Sequence, residues 1–386
     1  STSEHQIGKS NLADYFGGYM ADIVLIDGLA LGPDSFGETN ANGVWVPIDV
    51  SSLTFGTNGY YITGATAADL GEDFSGNGND YTSAGLATND QVLDSPTDNY
   101  CTNNILNIFG NAGGTLALSN GNLDTTCSTN GYHKITGTMS IPSTGKWYWE
   151  ETFATGSSGD RQCGVIPTGD GLNTNTQASA NGGWIVNGNG DTIGLTTTKY
   201  NGPSIAAGSV VGIAIDVDAN KMWVSDDGTY HNSGDPAAGT GATATDVPAG
   251  PLDIINCFTS GQGGVSNYGQ QAFATAAPAG FLALSTSNLP VPTIKDGSAN
   301  FQTTLYTGNG TAIGSGGNAI SQSGNSTFQP DFAWIKGRSG ATEHVLTDAV
   351  RGVTKELSSN DFNAEETVAE GLTTFGSAGF TVGSDG

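Results

Sequence analysis

A chain of 386 residues with 59 glycines, abundant Ser, Thr and Asn and only 12% charged residues exceeds one compact core and suits no helical class. Eleven basic residues against 37 acidic ones give a formal net charge of −26, which argues against a DNA or RNA partner and disfavours anionic membrane surfaces. No stretch approaches the roughly 20 apolar residues of a membrane span, and 36% hydrophobic content with six tryptophans argues against disorder.

The expected class is all-β, with many short strands in two to four modules. In segment 1–38, Tyr19–Ile26 reads as a strand ended by Asp27-Gly28. Segment 39–95 reads as a connector with strands at Val44–Val50 and Gly59–Gly64. Its stretch Ala68–Thr82 is dense in turn signals, and Phe74 and Tyr81 could pin it to a neighbour. There Asp69, Glu72, Asp73 and Asp80, with Asn77 and Asn79, could offer oxygen ligands to a calcium ion. The spacing is not that of an EF-hand, and turn chemistry explains the same residues without a metal. Asp216, Asp218, Asp226 and Asp227 raise the same possibility, which hairpin turns largely absorb.

Segment 96–289 carries the strongest strand signals. Gly145–Phe153, GKWYWEETF, alternates so that Trp147, Trp149 and Phe153 share one face and Tyr148, Glu150 and Thr152 the other. Ser209–Asn232 reads as strand, turn at Asp218-Ala219-Asn220, strand through Met222, Trp223 and Val224, and turn at Asp226-Asp227-Gly228. Further strands are expected in Thr115–Asp124, His133–Ile141, the GGWIVNGNGD stretch, Pro251–Phe258 and Val265–Phe273. Trp147, Trp149, Trp223 and Phe258 are assigned to the core. Segment 290–386 opens on a stiff Leu289-Pro290-Val291-Pro292 hinge. It holds a strand in Gln329–Ser339, a short helix or turn in His344–Leu357 and a hairpin-like end.

The meander and the Trp-rich strand resemble the core of a SPRY domain, and VSNYGQQAF resembles the strand that closes such domains. The resemblance implies a concanavalin-like β-sandwich with smaller flanking β modules, a scaffold for binding rather than catalysis. Phe16–Glu38 resembles the exit of a laminin-G-like jelly roll, and PDFAWIKGRS…DAVRG the start of a C-terminal domain of large phage structural proteins. The lectin-like strand, the SGNGND linker (Ser75–Asp80), the SPRY-like sandwich and the PDFAWIKGRS…DAVRG unit are four blocks that, in this order, resemble tail-fibre and related virion proteins of tailed bacteriophages. That resemblance implies an external virion protein that attaches to a bacterial surface glycan or protein and contacts other virion proteins. The end modules look incomplete, so a missing portion or a homo-oligomer, for which analogy suggests a trimer, would supply their partners. A head-fibre or decoration protein and a tail-spike depolymerase are the alternatives, the latter without the fixed-period repeat such enzymes usually show.

Site candidates are sparse. Trp184, Tyr200, Tyr230 and His231 lie in or near loops of the sandwich, where aromatics beside Asn and Asp suit sugar stacking; filling the core or packing between protomers is the competing role. Glu150 and Glu151 are strand neighbours that point to opposite faces, so they cannot by themselves form the ~5 Å or ~6.5–9.5 Å pair of a glycosidase; structural or solvated acids are expected. No nucleophile elbow or HExxH occurs, and His5, His133, His231 and His344 are scattered. Cys101, Cys127, Cys163 and Cys257 lack metal spacing and read as buried thiols. Lys336, Arg338, Arg351 and Lys355 gather four of the eleven basic residues in the last segment. They could bridge to acidic modules or to another virion protein, or simply scatter over the surface.

Overall fold

Short strands open the chain: β1 (Ile23–Leu25), β2 (Gly37–Thr39), β3 (Trp45–Pro47) and β4 (Tyr60–Ile62), with β1 paired to β4 and β2 to β3. In this computed structural model, residues 5–384 are described apart from 11–13, 41–43, 96, 111–115, 129–130, 156–159, 170–176, 179–181 and 325. Thr115 and the last two residues of the C-terminal hairpin reading fall outside them. The compact units are Ser1–Phe36 with Pro47–Pro290, and Gly37–Val46 with Val291–Gly386, a division drawn differently from the four sequence segments.

The next fourteen strands form the sandwich. They are β5 (Asn103–Phe109), β6 (Leu116–Ser119), β7 (Asp124–Cys127), β8 (His133–Ile141), β9 (Lys146–Thr155), β10 (Gln162–Pro167) and β11 (Trp184–Asn187). Then come β12 (Thr192–Gly194), β13 (Thr197–Tyr200), β14 (Val210–Asp216), β15 (Lys221–Asp226), β16 (Thr229–Tyr230), β17 (Leu252–Phe258) and β18 (Gly263–Asn267). One seven-stranded sheet runs β13-β12-β11-β10-β17-β8-β5, the other β16-β15-β14-β9-β18-β7-β6. The chain is therefore an all-β sandwich.

Period-2 patterning explains its layers. Trp149 lies opposite Ile213, and Ile213 opposite Val224, so each apolar row of one sheet stays in register. Trp147, Trp149 and Phe153 join Ile213, Ile215, Met222 and Val224 in one buried core with Cys163, Val165, Trp184, Val186 and Ile254 of the facing sheet. The turns are made by residues that tolerate φ > 0: Asn220 (φ 58) between β14 and β15, and Asp227 (φ 44) with Gly228 (φ 79) between β15 and β16.

The outer row of the second sheet is also buried, and Trp223 belongs to it rather than to the main core. Tyr148, Ala214 and Trp223 are covered by a returning segment that carries Phe273 and Phe281. The closing strand is thus shorter than the Val265–Phe273 reading, because β18 ends at Asn267 and the chain then leaves the sheet. Tyr148 donates its N–H to the Leu282 carbonyl, and Leu282 donates to that of Lys146. The Glu150 carboxylate accepts from the Ala274 and Thr275 amides at 2.8 and 2.9 Å. Phe281 meets Trp223 edge-on at 6.1 Å. Neither Glu150 nor Glu151 is solvated; both are buried. All four cysteines are buried thiols that form no disulfide.

The C-terminal unit holds β19 (Asn318–Ser321), β20 (Phe332–Lys336), β21 (His344–Asp348), β22 (Lys355–Ser358), β23 (Glu366–Thr367), β24 (Leu372–Gly376) and β25 (Gly379–Val382). β19-β25-β24 form one sheet and β20-β21-β22-β23 another, around a small core of Ile320, Ala333, Leu372 and Val382. Residues 344–357 form two strand segments joined by a turn, and no helix is found there. Arg351 closes the turn by donating its backbone N–H and its Nε to Asp348. Lys355 pairs with Glu365 at 3.9 Å, and Lys336 donates to Thr342, so these cations serve local turns and pairs. Among the described residues no helix is long and apolar enough to cross a membrane.

Candidate functional site

The sandwich corner built by β12, β13 and the β15–β16 hairpin combines strained backbone with aromatic side chains. β12 and β13 are joined by a two-residue turn, Leu195-Thr196, with φ of 49° and 67°. Such turns normally take Asn-Gly or Gly-Gly, because side chains resist left-handed backbone. A β-branched residue there is a true outlier. The turn places the Leu195 side chain in solvent, 54% exposed.

Trp184 of β11 supports this tip. It is 4% exposed, and its Nε1 donates to Asp246 Oδ1 at 3.1 Å. Asp246 also pairs with Lys199 of β13, and together these contacts hold its carboxyl below the usual range against the cost of burial. Gly194 is required here, since a Cβ on it would lie 2.5 Å from the indole Nε1.

Tyr200 pairs with Thr192 and sits at the other end of the hairpin. Its hydroxyl accepts from the Asn232 amide at 3.0 Å, and its ring lies 6.1 Å from that of His231. Asn232 (φ 55) and Ser233 (φ 50) form a second left-handed pair, anchored by Asn232 Nδ2 on the Ala242 carbonyl. His231 is 5% exposed, and neither ring nitrogen has a hydrogen-bond partner. Burial lowers its pKa while Asp226 acts the other way, so the ring is neutral at pH 7. Tyr230 points to the opposite face, against Tyr148 and Trp223, where burial raises its hydroxyl to about 12.

Of the four aromatic candidates, the structure thus brings Tyr200 and His231 together, buries Trp184 beneath the β12–β13 hairpin and turns Tyr230 to the opposite face. His231 and Trp184 support the corner from within, and Tyr200, half-buried, reaches its surface. Leu195, Thr196, Lys199 and Asp246 were missed by sequence reading. Their one sequence signal, a two-residue hairpin, lacks its usual glycine, and Asp246 lies 62 residues from Trp184. The corner offers an apolar tip, a phenol and the partly exposed Lys199–Asp246 pair, which suits contact with a partner.

The acidic loop is organised by turns. The Asp73 carboxylate accepts from the amides of Tyr61, Ser75 and Asn79 and from the Ser75 hydroxyl. Burial opposes ionisation, but those bonds hold its pKa below the ordinary value. Asp80 accepts from the Asp73 amide, Asp69 from that of Gly71, and Glu72 from the Thr66 hydroxyl. Their oxygens face amides and a hydroxyl, and among the described residues no group of three or more His, Cys, Asp or Glu is placed to hold a metal. In the C-terminal unit, Glu343, Glu356, Asp361 and Glu366 line a cleft of about 200 Å³, with the same outcome.

Comparison with known proteins adds two findings. Residues 296–386 match the family profile of a domain of unknown function, DUF7483. Solved structures similar to the chain include the SPRY domain of human HERC1, at 15% identity and TM-score 0.34, covering 41% of this chain and 94% of that one. Stonustoxin is similar at 16% identity and TM-score 0.31 over 43% of this chain, spanning 27% of its own length. No curated protein sequence matches.

Proposed function

We propose that this chain is a binding component of a bacteriophage virion, a tail fibre or other receptor-binding appendage, attached to a bacterial surface glycan or protein through the Leu195–Tyr200 corner. The virion assignment rests on the order of the four sequence blocks, and the SPRY kinship of residues 96–289 is part of the same proposal. The observation that carries the binding role is the Leu195-Thr196 turn. Backbone strain of this kind persists where the surrounding structure holds it, and it collects at ligand contacts. Here it displays an apolar side chain that stays more than half exposed. No chemical step is assigned, and many copies in a homo-oligomer would supply avidity.

The test is binding of the full chain to a bacterial glycan array and to intact cells, beside Tyr200→Ala. Saturable binding that drops at least tenfold in the variant, with an unchanged melting temperature, supports the proposal. Equal binding by both proteins removes the corner from it. A second reading, contact with other virion proteins, is favoured by the C-terminal unit, where Phe332, Trp334, Val350 and Phe362 are exposed.

A further inference from the structure

Between the two sheets lies a fully buried polar cluster that is unrelated to the Leu195–Tyr200 corner. Glu151 of β9 faces Ser266 of β18 within its own sheet, and Asn256 of β17 and Asn103 of β5 from the other sheet. Tyr268 completes the set by donating its hydroxyl to Asn103 Oδ1 at 2.8 Å. All five side chains are at most 2% exposed.

Counting donors shows what the cluster lacks. Glu151 Oε2 accepts from the Ser266 hydroxyl at 2.6 Å and from Asn256 Nδ2 at 3.2 Å. Glu151 Oε1 and Asn256 Oδ1 are both buried acceptors with no donor. Oε1 is pressed against the backbone of Gly264, where a Cβ would lie 1.9 Å away. The titratable groups facing Glu151 are Asp124 from β7, Cys163 from β10 and Tyr268, with Cys101 beyond Tyr268. None is a cation. A carboxylate here would be an unpaired buried charge, whereas a carboxylic acid supplies the missing donor.

We propose that the sandwich folds around Glu151 as the neutral acid, and that release of its proton to solvent weakens the clasp between the two sheets. Burial is the main cause that pushes the Glu151 carboxyl up to about 8, against the pull of Ser266 and Asn256 and with a small addition from Asp124. An unfolded chain ionises this group near 4.5. The folded state therefore holds one more proton than the unfolded state between those values. Stability is greatest below pH 4.5 as far as this group is concerned, falls between pH 4.5 and about 8, and levels off above it.

The experiment is thermal unfolding of the full chain from pH 5 to pH 9, beside Glu151→Gln, whose amide keeps a donor at the same place. The difference in melting temperature between the wild type and the variant should shift against the wild type by roughly 10 °C from pH 5 to pH 8 and then stay constant. Parallel pH profiles would overturn the proposal. Should the variant not fold, infrared difference spectroscopy of the wild type decides. A protonated-carboxyl C=O band present at neutral pH and lost reversibly near pH 8 supports it, and the absence of such a band at pH 6.5 overturns it.

Discussion

Single residues carry opposite kinds of cost in this fold. Leu195 and Thr196 sit in left-handed backbone, at about 1–2 kcal/mol each. Thr196→Gly should therefore stabilise the chain by about 0.5–1 kcal/mol after the entropy of glycine is deducted, measured by urea unfolding. Destabilisation by this substitution would mean that the threonine makes contacts the turn geometry hides. Glu151 carries an electrostatic cost: at about 1.4 kcal/mol per pH unit, its ionisation removes on the order of 4–5 kcal/mol between its unfolded and folded pKa values. Trp184→Phe keeps most of the packing and loses the bond to Asp246. A loss of about 1 kcal/mol is expected, with greater mobility of the Leu195 tip.

At the scale of elements, β9 is buried on both faces, and its two rows do different work. Trp149→Ala should cost about 3–5 kcal/mol, because it empties the centre of the inter-sheet core. Glu150→Ala should leave that core intact and free the segment that covers the outer face. Amide exchange at Ala274 and Thr275 should then accelerate by at least about tenfold while β14 and β15 stay protected. Equal acceleration throughout the sheet would contradict this separation.

The same strand marks what can be read from sequence. Alternation revealed β8, β9, β14, β15 and β17, because each has one face rich in Trp, Ile or Val and a clear turn after it. It missed β5, β10, β12 and β13, and the Thr115–Asp124 reading stopped where β7 begins. QCGVIP breaks its pattern with a glycine, and the β12–β13 turn uses Leu-Thr in place of a turn signal. The inverse error occurred at Tyr268–Phe273. The segment is patterned like a strand because it buries aromatics, but Tyr268 turns into the inter-sheet core and Phe273 packs on the outer face of a sheet. In the candidate site, Tyr200 and His231 were visible as aromatics near loops. Which residues stay buried and which reach solvent depends on pairings up to 62 residues apart, which no local pattern encodes.

For the whole molecule, net charge sets the terms of any encounter. A chain at −26 approaching an anionic cell envelope is repelled over distances of about 30 Å at 0.01 M salt and about 8 Å at 0.15 M. Association should therefore accelerate as salt rises through that range, while the proposed contacts of Leu195 and Tyr200 leave dissociation almost unchanged. Slower association with added salt would point to a basic partner surface. Of the two compact units, the sandwich carries the proposed attachment corner, and the C-terminal unit exposes Phe332, Trp334 and Phe362.

The most direct measurement is saturation binding of the labelled full chain to a panel of intact bacteria, with Leu195→Asn as comparison. Asparagine accepts the left-handed turn and removes only the exposed apolar tip. The expected result is saturable binding to at least one strain, reduced at least tenfold by Leu195→Asn at unchanged melting temperature. Saturable binding that Leu195→Asn leaves untouched, or no binding to any strain by the folded protein, would contradict attachment through this corner.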